Sequence, residues 1–170
     1  MFFETDRLFT RELALEDISV FNEMQKNINV MKYIIGRAKT EEENIRELQK
    51  IINSYKNLNS DFLVMAVVRK SDNQFIGTCA IVKNEDDEHE IGYRFLQKYW
   101  GNGFGKEILE GLIEYSLTYM NLGKIVAYVY AVNGASVKIL DNSQMNFVRE
   151  YYDNDWGYIV RYYRLSKSDR

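Results

Sequence analysis

The chain has 170 residues, of which 46% are apolar and 28% charged, with a formal net charge of −3. That length supports a single domain, 1–170, with a real core, and the composition is ordinary for a soluble globular protein. The acidic balance argues against nucleic acid as the main partner, and one cysteine with one histidine rules out an intrachain disulfide and a Cys/His zinc set.

No metal site is expected. The opening segment Met1-Phe2-Phe3-Glu4-Thr5-Asp6-Arg7 has no basic n-region, and no apolar run reaches the roughly 18 residues of a membrane span. A cytoplasmic chain without a membrane partner is the expectation.

Arg7–Leu13 alternates and predicts a strand. Ile18, Phe21, Met24 (or Gln25), Ile28 and Met31 recur at helical spacing. Thr40 followed by Glu43 is a capping box, opening a helix with Ile45, Leu48, Ile52 and Tyr55 on its inner face. Phe62–Arg69 and Phe75–Val82 predict a hairpin, with Ser71–Gln74 as its turn. The acidic run Glu85–Glu88 reads as a solvated turn, with attraction of a cationic substrate as the alternative. Glu88–Leu96 is a third strand. Trp100–Lys106 leads into a helix whose inner face carries Ile108, Leu109, Leu112, Ile113 and Leu117, and Gly123 is its expected stop. Lys124–Val132 predicts a central strand. A helix near Ser136 and strands near Phe147–Tyr152 and Tyr158–Leu165 follow. This order implies a mixed α+β sheet with one parallel pair around the glycine loop.

The segment Trp100-Gly101-Asn102-Gly103-Phe104-Gly105-Lys106 carries the chemistry. A strand ending in alternating glycines before a helix frees main-chain N–H groups at a positive helix end, which suits a phosphate. Lys106 adds charge. Lys106 is followed by Glu107 rather than Ser or Thr, so the P-loop pattern fails. Lys106 also stands where the dinucleotide fingerprint needs Gly or Ala.

Glu90-Ile91-Gly92-Tyr93 and Tyr99–Gly105, followed by an amphipathic helix, resemble the acetyl-CoA motif of the GNAT superfamily, most closely its RimJ/RimL-like branch. Glu4–Arg11, Val132–Ser136 with Ile139 and Leu140, and Met145-Asn146-Phe147 resemble that branch's other segments in the same order. Trp100 replaces the usual Gln or Arg. Asn146 replaces the glycine of Leu-Gly-Phe, a substitution that tolerates a left-handed backbone. About two extra residues lie between Leu140 and Met145, in the wall of the acceptor pocket. The tyrosine that many members use as general acid is absent, with Leu140 near its place.

The resemblance implies an α+β GNAT fold: a mostly antiparallel sheet of six to seven strands with a splayed parallel pair and helices on both faces. It implies an acetyl-CoA-dependent N-acetyltransferase acting on an amine, either a protein N-terminus, an amino acid or a small amine. A non-catalytic acyl-CoA-binding module is the alternative, motivated by the missing tyrosine. By the same resemblance, main-chain groups of Phe95 and Leu96 pair with pantetheine and Asn133 bonds the same arm. The amides of Gly101, Asn102, Gly103, Phe104, Gly105 and Lys106 hold the pyrophosphate. Glu90 is the expected base and Ser136 the expected acid. Glu90 could instead make a structural hydrogen bond, and Ser136 could cap its helix. His89 is the second choice of base. Tyr128 and Tyr130 are further candidate donors, with sheet packing the favoured reading from their alternation; Trp100 is expected to pack beside the loop and Cys79 to fill the core. A homodimer is common in such folds.

Overall fold

The computed structural model describes residues 1–57 and 61–170. Seven strands form one sheet in the order β1-β2-β3-β4-β5-β7-β6. They are β1 (Leu8–Arg11), β2 (Phe62–Arg69), β3 (Gln74–Lys83), β4 (His89–Phe95), β5 (Lys124–Tyr130), β6 (Asn146–Asp153) and β7 (Tyr158–Ser166). Helices α1 (Ile18–Gln25), α2 (Ile28–Met31) and α3 (Glu41–Ser54) precede β2. Helix α4 (Phe104–Glu114) links β4 to β5, and α5 (Gly134–Asp141) follows β5.

Every strand pair is antiparallel except β4 with β5. That parallel pair meets at a single register position, Glu90 opposite Val126. The cause lies on either side. β4 is fully paired with β3 from His89 to Phe95, and β5 is fully paired with β7 from Lys124 to Tyr130. Each half of the sheet follows its own right-handed twist, so the two central strands separate beyond Glu90. A wedge opens between their C-terminal ends.

Two cores flank the sheet. Ile108, Leu109, Leu112 and Ile113 of α4 pack with Leu140 on Ile91, Phe95, Ile125, Ala127 and Val129. Phe21, Met24, Met31, Leu48 and Ile51 pack on Val64, Ala66 and Val68 of the opposite face. The Cys79 side chain is buried, and burial pushes its thiol pKa up, so it stays protonated and inert.

Several local expectations are corrected. The first helical stretch is broken, because Asn27 takes an extended backbone and caps α2 through its side chain, which accepts from Asn29 N–H. The capping box of α3 forms as predicted, with Glu43 N to Thr40 Oγ1 at 3.2 Å and Thr40 N to Glu43 Oε2 at 2.8 Å. Its inner face is turned, however: Ile51 and Asn44 are buried while Ile45 is exposed. Asn44 faces inward because it bonds Asn22 and Gln25. Gly123 does not stop α4. The helix widens into a π turn over Tyr115–Tyr119, and Asn121 ends it in the left-handed region, with φ 56°. Asn146 keeps the extended backbone of β6, because Ser143 makes the turn after α5: it donates to Leu140 O at 2.8 Å and accepts from Met145 N at 3.0 Å.

Candidate active site

Paired strands put opposing residues on one face, so the registers map the surface beside the wedge. Glu90, Val126, Arg164 and Asn146 form one row; Tyr128, Tyr162 and Arg149 form the next; Tyr130, Val160 and Tyr151 form a third. Gly92 and Arg94 continue Glu90's side of β4 along the wedge. Arg94 turns toward the helices and donates to Gln25 Oε1 at 2.6 Å. Gly92 has open space where a Cβ would project, so this wall of the wedge is accessible.

Glu90 is half-buried. Burial first, and the neighbouring Glu88 carboxylate second, push its pKa above the ordinary carboxylate value. That is the direction a proton acceptor working near neutrality requires. His89 points to the opposite face and lies 3.7 Å from Asp61 Oδ1.

Glu88 departs from the expected solvated run. Its side chain is only 15% exposed and accepts from Lys124 Nζ at 2.7 Å, Tyr162 Oη at 3.0 Å and Tyr128 Oη at 3.2 Å. Burial raises its pKa, but the hydrogen bonds from Lys124 and Tyr162 outweigh that and hold it below the ordinary value. Glu85, Asp86 and Asp87 do form the turn, with Asn84 Oδ1 accepting from Asp86 and Glu88 N–H. Tyr128 is therefore a hydrogen-bonding member of this face and more than sheet packing. Sequence reasoning missed Glu88 and Tyr162. The available signal was parity: Glu88 shares a face with Glu90 at period two.

At the far end of the wedge, Gly101 and Gly103 both sit in the left-handed region, with φ 75° and 79°. This conformation turns the chain tightly into α4 and is cheap only for glycine. Asn102 locks the turn, its amide donating to the carbonyls of Tyr99 and Trp100 at 3.0 Å each. Gly105 is needed for a different reason: a Cβ there would lie 3.0 Å from Ile139 and 3.1 Å from the Tyr93 ring. Lys106 is exposed beside Glu110, and Phe104 is buried under the Arg7 guanidinium, 4.6 Å from its ring centre. A depression lined by Asp6, Arg7, Arg69, Lys70, Ser71 and Phe104 adjoins the loop and carries three cations.

Glu107 ties this loop to the first strand. It accepts from Thr5 Oγ1 at 2.6 Å, Arg7 N at 2.7 Å and Arg7 Nε at 2.7 Å. Burial raises its pKa, but these bonds more than offset that and lower it. A depressed folded pKa means stabilisation that is present above the unfolded value and lost as pH falls through the folded one. Glu107→Gln is therefore expected to cost about 1–3 kcal/mol at pH 7. Urea titration should show the deficit shrinking in acid, below the ordinary carboxylate pKa.

The expectation for Leu96 is adjusted. Its N–H donates to Ile76 O at 3.0 Å and its carbonyl accepts from Tyr99 N at 2.9 Å. Antiparallel alternation then aims the main-chain groups of Tyr93 and Phe95 away from β3 and into the wedge. One of these is already shared, since the Trp100 indole donates to Phe95 O at 3.0 Å. Trp100 is thus tied to β4 while 46% of it stays exposed.

Asn133 caps α5: its side-chain oxygen accepts from Ser136 N at 3.4 Å. The cap role considered for Ser136 falls to Asn133, and the Ser136 hydroxyl is left for other work. It lies beside Tyr93, whose hydroxyl is buried and makes no well-formed hydrogen bond among the described residues. Burial lifts the Tyr93 pKa to about 12, with Ser136 acting weakly in the other direction. An unsatisfied buried hydroxyl is costly and calls for an absent partner. A wedge edged by unpaired main-chain groups, ending on a left-handed glycine turn beside cations and carrying this hydroxyl, fits an extended ligand with a phosphate end.

The sequence profile of the acetyltransferase (GNAT) domain family matches residues 7–146. The chain belongs to the GNAT acetyltransferase family. It is 30% identical over 168 residues to the uncharacterized N-acetyltransferase p20 of Bacillus licheniformis, covering 95% of this chain and 93% of that one. It is 26% identical to the uncharacterized N-acetyltransferase YoaA of Bacillus subtilis, covering 96% of each. A GNAT-family acetyltransferase from Bacillus anthracis shares the fold with a TM-score of 0.87 at 22% identity, covering 99% of each chain. Spermidine N-acetyltransferase from Vibrio cholerae, in complex with CoA and spermine, shares it with a TM-score of 0.78 at 20% identity, covering 96% of this chain and 97% of that one. The GNAT acetyltransferase uses acetyl-CoA as acetyl donor. No helix among its described residues is long and apolar enough to cross a membrane, and no cluster of His, Cys, Asp or Glu there could hold a metal ion.

Proposed function

We propose that this acetyltransferase, read as one domain over 1–170 and as RimJ/RimL-like, acetylates a primary amine at the inner end of the β4–β5 wedge. The observation that carries this reading is Glu90, a carboxylate of raised pKa standing where the two strands begin to part. The main-chain groups of Tyr93 and Phe95 pair with the pantetheine arm, with Asn133 bonding it from the α5 side. The N–H groups of Gly101–Lys106 hold the pyrophosphate, and Arg7 and Lys70 add favourable charge.

An alkyl amine with a pKa of about 10 arrives protonated, and Glu90 takes a proton from it through water. The free lone pair forms the new bond to the acetyl carbon as the carbon–sulfur bond breaks, and the second proton on nitrogen passes through water to the departing thiolate. The departing thiolate needs a hydrogen-bond donor, and Ser136 supplies it with the Tyr93 hydroxyl beside it. This pair stands in for the missing tyrosine on α5 and supports a catalytic reading over a purely binding one. The named activity of the Vibrio cholerae fold neighbour supports an amine acceptor. A single buried thiol fits a reducing compartment such as the cytoplasm. β6 is an edge strand with Phe147, Val148, Tyr152 and Ile159 exposed on it and its neighbour, the kind of surface a second copy would cover.

Thiol release from acetyl-CoA in the presence of alkyl amines, amino acids and N-terminal peptides tests the reading. One class should drive release with formation of the acetylated amine. Tight acetyl-CoA binding without product from any class would overturn it.

A further inference from the structure

Beyond the rows around Glu90, the same face ends in rings that packing alone does not explain. Tyr130 lies 5.1 Å from Tyr158 and 6.2 Å from Trp156, and Tyr33 stands edge-on to Tyr158 at 6.4 Å. Trp156 and Tyr158 remain 38% and 36% exposed. The rings come from three separate elements: the turn after α2, the end of β5 and the β6–β7 turn. Gly36 makes the approach possible, because a Cβ there would sit 2.7 Å from Trp156.

The cluster also carries anionic charge. Asp153 Oδ2 accepts from Tyr130 Oη at 3.5 Å, and its other oxygen is held by Asp155 and Trp156 N–H at 3.0 and 3.2 Å. Glu90 lies on the same face, one row from Tyr128. Cations do sit on neighbouring rings: Arg149 covers Tyr162 and Tyr151, and Lys32 covers Tyr33. Among the described residues none covers Tyr130, Trp156 or Tyr158. Electron-rich faces beside a carboxylate, without a cation of their own, suit an ammonium group.

We infer that the acceptor is an aliphatic amine with a second cationic group, which Tyr130, Trp156, Tyr158 and Asp153 hold while the reacting amine lies at Glu90. This rests on the proposed function and adds the class of acceptor. Tyr130 is four residues beyond Val126, the partner of Glu90, so the two ends are about 13 Å apart along the strand. An extended alkyl chain of about nine carbons spans that gap. An acceptor with a carboxylate at its far end would meet Asp153 and be repelled.

Nonamethylenediamine, nonylamine and aminononanoate share one chain length and differ only at the far end. With the full chain and acetyl-CoA, kcat/KM should be about tenfold higher for the diamine than for nonylamine, and lower again for aminononanoate. Asp153→Asn, at the end of β6, and Trp156→Leu, in the exposed turn that follows, should each cut the diamine's advantage over nonylamine severalfold. Equal values for diamine and monoamine, or preference for aminononanoate or a peptide N-terminus, would overturn the inference. Calorimetric titration of the diamine into the CoA-saturated protein separates the two claims. Binding that weakens in Asp153→Asn without product in the wild type would sink the proposed function and leave this site standing; no diamine binding would sink the site.

Discussion

Glu90→Gln is expected to lower kcat by about 10²- to 10⁴-fold, the usual contribution of a positioned proton acceptor, with little change in acetyl-CoA affinity. Glutamine keeps the shape but cannot take a proton. The pH profile distinguishes this from a structural role. In the wild type, kcat/KM should fall on the acid side as Glu90 becomes protonated. Because burial and Glu88 both raise its pKa, this fall should come at higher pH than for an exposed carboxylate. Glu88→Gln removes the second cause and should move that limb to lower pH. Glu90→Gln should lose the limb and leave a residual rate that only rises with pH, as the amine itself deprotonates. A Glu90→Gln enzyme with wild-type kcat and an unchanged acid limb would remove Glu90 from the chemistry.

Gly103→Val is the second large effect. A β-branched residue at φ 79° costs about 1–3 kcal/mol; the new Cβ meets only the flexible end of Arg7, at an ordinary 3.4 Å, so the strain falls on the backbone. The loop has to distort, which moves the N–H groups at the start of α4. Acetyl-CoA affinity measured by calorimetry should weaken by roughly 10- to 100-fold or more. Gly123→Ala is the matched control. Gly123 is outside the left-handed region and a Cβ there meets nothing within 4 Å, so affinity should stay at the wild-type value. Equal affinities for Gly103→Val and Gly123→Ala would show that the turn does not grip the ligand.

What the sequence conveyed and what it hid divide along physical lines. Strand and helix order was legible because β2 and β3 are short, nearly unbroken apolar runs split by a turn, whereas apolar residues recur with a period of 3.6 along α4. The glycine turn was legible because alternating glycines before a helix have few other uses. Local polar bonds were not. The inward turn of Asn44 depends on Asn22 and Gln25, over twenty and nearly twenty residues away, and no periodicity encodes it. Glu88 looked like part of a solvated run because its partners Lys124, Tyr128 and Tyr162 are far along the chain. The aromatic cluster was equally hidden, since Tyr33, Tyr130, Trp156 and Tyr158 meet only when three elements converge. The expectation for Leu96 comes from the family resemblance alone, whereas the hydrogen-bond alternation set by β3 decides which main-chain groups face the wedge.

The central claim is that the gap between β4 and β5 is a ligand slot edged by the main-chain groups of Tyr93 and Phe95, of which Phe95 O is shared with the Trp100 indole. A crystal structure of the chain with CoA tests it most directly. The pantetheine arm should lie between the two strands, bonded to those residues, with its diphosphate on the N–H groups of Gly101–Lys106. CoA bound elsewhere, or β4 and β5 zipped together past Glu90 with the ligand excluded, would contradict the account.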